Sequence, residues 1–324
     1  MKLIDDTLAA LSIAAPQRFS NLTVYPLTAP ADLDADYLVL DEALRRKLAS
    51  VTEVSCGGSV PELAFDNQAD EGVLLLDGEE LVGARQNRVL NITILVGGHQ
   101  HIVIPVSCVE HGRWRYNSDE FASADQALFS KARGKKMRQV SASMRESGTR
   151  RSDQGEVWAD IAQKQASFCV NSATEAMGDV YDKEKARLDE YVNAIEPLPR
   201  QCGAVFAVDG KVAGIELFDS PATCACYLPK IVRSYAMDAA QTRQPDGVPP
   251  VEEAVRRFIE QMKAAATQTF KALGEGDDVR LEGGSITGGA LVRGERVVHL
   301  AAFAMDADSP KAKRRTGARR SPLS

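Results

Sequence analysis

The sequence of 324 residues has no apolar run approaching the roughly 18 residues that a membrane-spanning helix needs. Its N-terminus lacks the basic start and apolar stretch of a secretory signal, since Asp5 and Asp6 follow soon after Met1. Cysteine is scarce, with six residues, and Cys224 and Cys226 are too close together for a Cys-x-x-Cys motif. We therefore expect a cytoplasmic protein with reduced thiols and no membrane partner.

Several well-known motifs are also missing. The sequence has no P-loop, no dinucleotide fingerprint and no nucleophile elbow, and its Gly-Gly pairs at 283–284 and 288–289 lack the spacing of a phosphate-cradling loop. Ligand spacings typical of zinc sites do not occur either. We predict no cofactor and no metal bound by protein side chains, without excluding a metal ion that a substrate brings with it.

What the chain does have is an ordinary globular composition, with 44% hydrophobic and 26% charged residues, and it is long enough for one large core or two modest ones. The formal net charge is −6, but residues from Asp308 onward carry six basic side chains against one acidic side chain. The acidic body disfavours a nucleic-acid surface, except for weak contacts through the tail. We expect residues 307–324 to be a basic disordered tail.

Periodicity predicts an α+β fold with a single mixed core. After an N-terminal extension at residues 1–17, one domain covers residues 18–306: β-rich over 18–118, helical over 119–200 and mixed over 201–306. Largely antiparallel β-hairpins then flank a central helical segment. Within it, residues 123–195 fit two or three helices, interrupted at 148–155.

Shorter patterns predict individual elements. Asp41 is expected to cap a short helix, and later helices are expected at 228–241 and 251–273. Three segments, 73–83, 204–214 and 290–300, are predicted to be hairpins with tight turns. The first two contain Asp-Gly, which favours a type I′ turn. They place Leu76 opposite Glu79 and Val208 opposite Lys211; convergence explains their likeness as well as an internal repeat does.

The densest signal runs from Leu74 to Trp114. Residues 86–96 and 101–109 form a predicted hairpin, and their alternating apolar faces constrain its register because a one-residue slip moves a face to the wrong side. In the predicted register Arg88 faces Glu110. The other cross-strand pairs are Val96 with Ile102, Ile94 with Ile104, Ile92 with Val106 and Leu90 with Cys108. The Arg88–Glu110 ion pair is either a structural latch or a group that orients a planar ligand.

Polar side chains crowd the open end of this hairpin. The ligand-binding candidates there are Gln86, Asn87, Arg88, Cys108, Arg113 and Trp114. Cys108 is more typical of a buried hydrophobe than of a nucleophile, because strand alternation puts His111 on the other face. His99 and His101 lie at the hairpin tip, about 30 Å from Glu110, so they cannot share a metal ion with it.

Carboxylates supply the catalytic candidates, Glu110 and Glu80. Glu80 alternates inward on its strand, where burial would raise its pKa and suit general acid or base work, whereas Glu79 is expected to be a solvated turn residue. Glu216 is either an edge residue or a further ligand-binding contributor. His299 fits a satisfied core histidine.

A family resemblance covers most of residues 18–306. It rests on NLTVYPL (21–27), SVPEL (59–63), LLDGEELVGARQNRVLN (75–91) and IPVSCVEHGRW (104–114), with later matches at 154–158, 203–218 and 290–303. These segments resemble the ADP-ribosylglycohydrolase and rhodanese-phosphatase associated domain family. The resemblance implies an α+β domain linked by genomic context to NAD and ADP-ribose metabolism, and it implies no particular reaction.

Three hypotheses follow. The first is a binding or regulatory domain for an ADP-ribose-like or nucleotide ligand, with Arg88 and Arg113 on phosphate, Gln86 and Asn87 on polar edges and Trp114 stacking. The second is a hydrolase of an ADP-ribose-derived substrate that uses Glu110 or Glu80 as acid or base. The third is a protein-interaction scaffold. Convergence of Glu80, Arg88, Glu110 and Glu216 on one cleft would favour the enzyme.

Overall fold

The computed structural model describes residues 2–55, 57–242, 249–250 and 252–305. In it, runs rich in Val, Ile and Leu form strands, and runs rich in Ala, Lys and Glu form helices. The helices are α1 Lys2–Ala10, α2 Leu40–Arg45, α3 Ser130–Ser147, α4 Gln154–Ser167, α5 Met177–Lys183, α6 Lys185–Asn193, α7 Pro221–Ala239 and α8 Glu252–Lys263. The predicted α+β class is confirmed. The predicted basic tail lies outside the described residues.

The strands are numbered in chain order. They are β1 Ser12–Ile13, β2 Gln17–Phe19, β3 Leu22–Thr28, β4 Tyr37–Val39, β5 Ala49–Glu53, β6 Glu62–Asn67, β7 Gly72–Leu75, β8 Glu79–Gly83, β9 Arg88–Leu90, β10 Ile94–Val96, β11 His101–Cys108, β12 Phe121–Ala127, β13 Gln201–Val208, β14 Lys211–Phe218, β15 Ala266–Lys271, β16 Asp277–Gly283, β17 Ile286–Arg293 and β18 Arg296–Ala304.

The largest sheet joins the two ends of the chain. Its order is β1-β3-β13-β14-β18-β17-β16-β15, with β2 also on β3, and neighbouring strands are antiparallel. Alternation along β13 sends Ala204 and Phe206 to one face and Val205 to the other. Both faces are covered, one by α1 and α8 and the other by helices that include α3 and α7. Both ends of the chain thus contribute to one framework.

Two smaller sheets carry the segment with the densest polar signal. One has the order β12-β8-β9-β11-β6-β5 and the other β10-β7-β4, with β4 parallel to β7. Their apolar residues form a third core that α3 closes with Val140 and Met144. Helix α3 therefore packs against both the large sheet and the small ones.

One of the three predicted hairpins does not form. Strand β7 pairs with β4 and β10, whereas β8, directly after the Asp77–Gly78 turn, pairs with β9 and β12, so Leu76 and Glu79 are not a strand pair. Only Gly78 has a positive φ, 80°, so the turn is not type I′. The turn instead carries the chain from one sheet to another, which local turn chemistry does not reveal.

The other two hairpins form as predicted. Val208 pairs with Lys211, and the turn residues Asp209 and Gly210 have φ of 50° and 74°, as a type I′ turn requires. Arg293 pairs with Arg296 across the tight turn of the third segment.

The predicted register of the long hairpin is wrong by two residues. Val106 pairs with Leu90, and Cys108 rather than Glu110 lies opposite Arg88. The first half of β11 pairs with β6, and β10 joins the other sheet, so the predicted pairs near the hairpin tip do not form. A slip of two keeps every side chain on its predicted face, because a period-two pattern constrains the face and not the partner.

The helix predictions need three corrections. Residues 123–195 contribute the end of β12 and four helices rather than two or three; the break at 148–155 separates α3 from α4. Asp41 does not cap α2, because the helix already begins at Leu40, after Val39. The helix predicted over 251–273 ends at Lys263, and 266–271 forms an edge strand, since pairing with β16 outweighs local helix propensity.

A buried network of charges joins these layers. Arg133 on α3 contacts Glu216 on β14 at 2.6 Å and Asp77 in the β7–β8 turn at 3.5 Å, and all three side chains are at most 2% exposed. Lys136, one turn later, pairs with Asp77 and donates to the carbonyl of Leu90 at 2.8 Å. The network therefore ties α3 to both sheet systems.

Breaking this network by replacing Arg133 with Met should destabilise the fold strongly. Glu216 and Asp77 would keep buried charges with fewer partners, which costs about 3–5 kcal/mol. Arg46→Met removes an exposed pair with Glu42 and should change stability by less than about 1 kcal/mol. Urea unfolding of both variants measures the two effects, and equal losses would contradict the role given to Arg133.

Candidate functional site

The candidate site forms where the segment after β11 meets the loop before α5. Glu110 makes an antiparallel bridge with Ala176, Met177 N–H donates to Val109 O, and Gly112 N–H donates to Thr174 O. These backbone bonds place the start of α5 over the polar end of β8 and β9. Side chains far apart in sequence thereby face one another.

A cavity of about 440 Å³ opens between the strands β8 and β12 and the helices α5, α6 and α7. Its lining includes Asn87, Glu110, Gln126, Gly178, Lys185 and Arg233. Glu80 lies beside it, because the position of a Cβ atom at Gly178 would be 3.9 Å from Glu80 Oε1 and 3.6 Å from Gln126 Nε2. We call this cavity the polar pocket.

Glu80 is fully buried beside the polar pocket. Gln126 Nε2 donates to its Oε2 at 2.6 Å and Asn87 Nδ2 to its Oε1 at 3.4 Å. Burial, with a smaller contribution from the charge of Glu110, outweighs the lowering effect of the two amides and raises the pKa of the Glu80 carboxyl to about 7. The burial and raised pKa expected for Glu80 are therefore present in the structure.

The pKa of Glu110 is displaced in the opposite direction, downward. Burial raises its pKa, but hydrogen bonds from Arg113, from the Asn87 N–H and from Thr174 outweigh that effect, so the pKa is lowered overall. Arg113 Nε donates to Oε1 at 2.8 Å, and Asn87 N–H donates to Oε2 at 3.0 Å. Glu110 is thus held as a carboxylate.

Asn87 contacts both carboxyl groups, through its backbone N–H to Glu110 and its side-chain amide to Glu80. Two acids that share one neighbour therefore have pKa values displaced in opposite directions. Near neutral pH such a pair offers a proton donor and a charged acceptor together.

Arg113 positions Glu110. Its donors reach Glu110 and Asn87 Oδ1, and its remaining contacts are the carbonyls of Gly83, Ala84 and Arg115. A guanidinium has five N–H bonds, and these partners occupy all of them. Arg113 is therefore a fixed support in this structure, with no donor left for a phosphate.

Arg88 is not paired with Glu110, and this corrects the predicted ion pair. Its Nη1 donates to Gln86 Oε1 at 3.1 Å and to Asn87 O at 3.3 Å, while Nε and Nη2 have no hydrogen-bond partner in the described part of the chain. The side chain is fully buried, with its guanidinium 5.8 Å from the Trp114 ring centre. The two-residue change in register explains the lost partner.

The remaining candidates around Arg88 are arranged in a separate cluster. Cys108 is fully buried, its Sγ lies 3.3 Å from Gln86 Oε1, and burial raises the pKa of its thiol. His111 instead contacts Glu175 at 2.7 Å and packs on Trp158. Trp114 is 45% exposed, with the Arg85 guanidinium 5.5 Å from its ring centre.

Two acidic residues differ from expectation. Glu79 is fully buried and pairs with Lys230 at 2.5 Å, so it is not a solvated turn residue. Glu216 is neither at an edge nor at the polar pocket. It belongs to the buried network with Arg133, and its Oε2 lies 3.1 Å from His299 Nε2. His299 is accordingly the satisfied core histidine that the sequence indicated.

The structure also adds residues that the sequence did not single out. Gln126, Gly178, Lys185 and Arg233 come from β12, α5, α6 and α7, between 39 and 146 residues after Asn87. No local motif marks them, because their common location depends on how the helices pack. Glu80 and Glu110 thus share the pocket region, but Arg88 does not line the pocket and Glu216 lies in the buried network, so the four residues do not converge on one cleft as the enzyme hypothesis expected.

None of the described helices is long and apolar enough to span a membrane. The fold and site define an α+β protein in which antiparallel sheets and a layer of helices enclose a polar pocket with paired carboxyl groups. The chain belongs to the family described as the ARG and Rhodanese-Phosphatase-superfamily-associated Protein domain, ARPP-1, whose model matches residues 10–303. No curated protein and no solved structure matches the chain.

The raised pKa of Glu80 should make stability depend on pH. Its folded pKa of about 7 exceeds the ordinary value of 4.5, so its contribution is fully present below pH 4.5 and is lost as pH rises through 7. Glu80→Gln should abolish this pH-dependent contribution to the free energy of unfolding, which is worth about 3 kcal/mol. Urea unfolding from pH 4.5 to 8 measures it as the difference between the two proteins, and parallel curves would contradict the assignment.

Arg88 should contribute less to stability than Arg133, although both are fully buried. Arg88→Met removes a buried charge that makes no ion pair with the described residues, so the free energy of unfolding should change by about 1 kcal/mol or less, or increase. The matched comparison is Arg133→Met. A loss as large as in that variant would show that Arg88 has a stabilising partner.

Proposed function

We propose that this protein is a hydrolase that cleaves a glycosidic bond of an ADP-ribose-derived substrate in the polar pocket. The observation that carries the proposal is the opposite displacement of the Glu80 and Glu110 pKa values around Asn87. Such pairs divide acid and base roles in glycoside hydrolysis. The substrate class draws on the family name, which associates the domain with ADP-ribosylglycohydrolase proteins.

In the proposed reaction, protonated Glu80 donates its proton to the leaving group as the bond from the ribosyl C1 carbon breaks. Water adds its oxygen to C1 and gives a proton to the Glu110 carboxylate. The acidic lining, which includes Asp125, Asp179 and Asp182, favours the positive charge that develops on the sugar ring.

The phosphate groups of such a substrate would be bound by the cationic side of the same pocket. Lys185 and Arg233 line it from α6 and α7, and each also contacts Asp189, at 3.3 Å and 2.8 Å. Arg233 Nε is buried without a hydrogen-bond partner in the described ranges, so it retains a donor for an anion.

A purely binding role is the second candidate. Both oxygens of Glu80 already accept amide hydrogen bonds, and a protonated Glu80 could donate to a bound ligand without any reaction. The binding scheme with Arg88, Arg113 and Trp114 stays a prediction, although the buried position of Arg88 and the occupied donors of Arg113 favour the polar pocket over it.

The proposal predicts measurable hydrolysis of an ADP-ribosylated peptide, whose leaving group takes up the Glu80 proton, followed by NMR of the released ribosyl group. Glu80→Gln should lower kcat about 10²–10⁴-fold, because it removes the general acid. The wild-type kcat/KM should fall above pH 7 as Glu80 loses its proton. Saturable binding without turnover would support the binding role instead, and full activity of Glu80→Gln would contradict the assignment of the acid.

Gly178 offers a control that leaves both carboxyl groups untouched. Gly178→Ala places a methyl group at ordinary contact distances and should preserve activity. Gly178→Leu should fill the space in front of Glu80 and raise KM or abolish binding. Equal activity of the two variants would show that the reaction takes place outside the polar pocket.

A further inference from the structure

Two further cavities lie along α3, on a surface that the proposed hydrolysis does not use. Cavities of about 500 Å³ and 480 Å³ adjoin one another, because Lys131, Asp238, Ala304 and Met305 line both. Together they form a groove between α3, α4, the end of α7 and the last strand. We call it the α3 groove, and each part is large enough for a small ligand.

The groove is basic in a protein whose net charge is −6. Lys131, Lys135 and Arg138 lie at spacings of four and three residues on α3 and share one face. Lys164 from α4 and Lys211 from β14 add two more cations. Its lining carboxylates are Asp160, Asp209 and Asp238, so the four lysines alone exceed the carboxylates by one.

Each lining carboxylate already has partners. Asp160 pairs with Lys135, and Asp238 pairs with Lys164 at 2.6 Å and accepts from the Ser130 hydroxyl at 2.6 Å. Asp209 accepts from the side chains of Asn21 and Thr242, both at 2.7 Å.

Lys131 and Lys211, in contrast, are exposed and make no ion pair within the ranges that the structure describes. Two ammonium groups over one cavity repel each other and attract an anion.

The groove also has apolar surface and amides. Phe129 lies beneath Lys164, with the ammonium 4.6 Å from the ring centre, and Ala132 and Met305 continue the apolar strip. Gln163 and Gln241 supply amide groups at its side. Cations beside an apolar strip suit a ligand that carries phosphate on one end and a planar ring on the other.

We propose that the α3 groove is a binding site for a nucleoside phosphate, with Lys131 and Lys211 contacting its phosphate groups. The site shares no lining residue with the polar pocket. It therefore provides a place for a nucleotide that acts as an effector, and it stands or falls independently of the proposed hydrolysis.

Calorimetric titration of the full-length protein with ADP tests the site at near-physiological salt. We expect saturable binding that persists in Lys185→Glu, competition by inorganic pyrophosphate and much weaker binding of adenosine. The double variant Lys131→Glu, Lys211→Glu should weaken ADP binding at least about 10-fold, because two charge-assisted contacts become repulsive. Lys131→Gln with Lys211→Gln provides a second, milder test if the first variant unfolds.

The matched control is Lys47→Glu with Lys271→Glu, which makes the same change in net charge at exposed positions outside the groove. It should leave ADP affinity unchanged. Equal weakening in the control would reduce the effect to overall charge and overturn the proposal. No saturable binding, adenosine binding as tight as ADP, or loss in Lys185→Glu but not in the groove variants would overturn it as well.

Discussion

The contact between Arg133 and two buried carboxylates is the constraint on which the arrangement of this protein depends. Glu216 belongs to the nine-stranded sheet, and Asp77 belongs to the turn at which the chain passes between the two smaller sheets. Arg133 is fully buried, and these two carboxylates compensate the charge of its guanidinium. The position of α3 therefore sets the relation between the sheet systems, and the adjacent Lys136 strengthens it through Asp77 and a strand carbonyl.

The polar pocket depends on that arrangement indirectly. Strand β8 starts at Glu79, directly after the turn that contains Asp77, and Glu80 is its second residue. Because α3 contacts Asp77, it also helps to fix the position of Glu80. From there Asn87 and Arg113 position Glu110, while the start of α5 covers Glu80. Charge pairs in this region are specific: Glu79 contacts Lys230, whereas the hydrogen bonds of its neighbour Glu80 within the described residues come from the amides of Gln126 and Asn87. Alternation along one strand thus separates a structural carboxylate from a titratable one.

Charge is also divided between the two surfaces that we propose for ligands. The polar pocket carries several carboxyl groups with two cations at one side, whereas the α3 groove has more cations than carboxylates. A developing positive charge is stabilised in the first, and phosphate is attracted to the second. Phosphate is proposed to contact Lys185 and Arg233 in the first site and Lys131 and Lys211 in the second, so the two sites are distinguished by their own cations.

Several properties followed from the sequence alone: the α+β class, the type I′ turn at Asp209–Gly210, the core position of His299 and the inward face of Glu80. Each depends on local dihedral preference or on the alternation of side chains, which neighbouring residues determine. Tertiary structure decided the partner of Arg88, the burial of Glu79 and the presence of Lys185 and Arg233 in the lining of the polar pocket. A period-two pattern specifies a face but tolerates a slip of two residues, and the choice of partner strand depends on packing between residues distant in sequence.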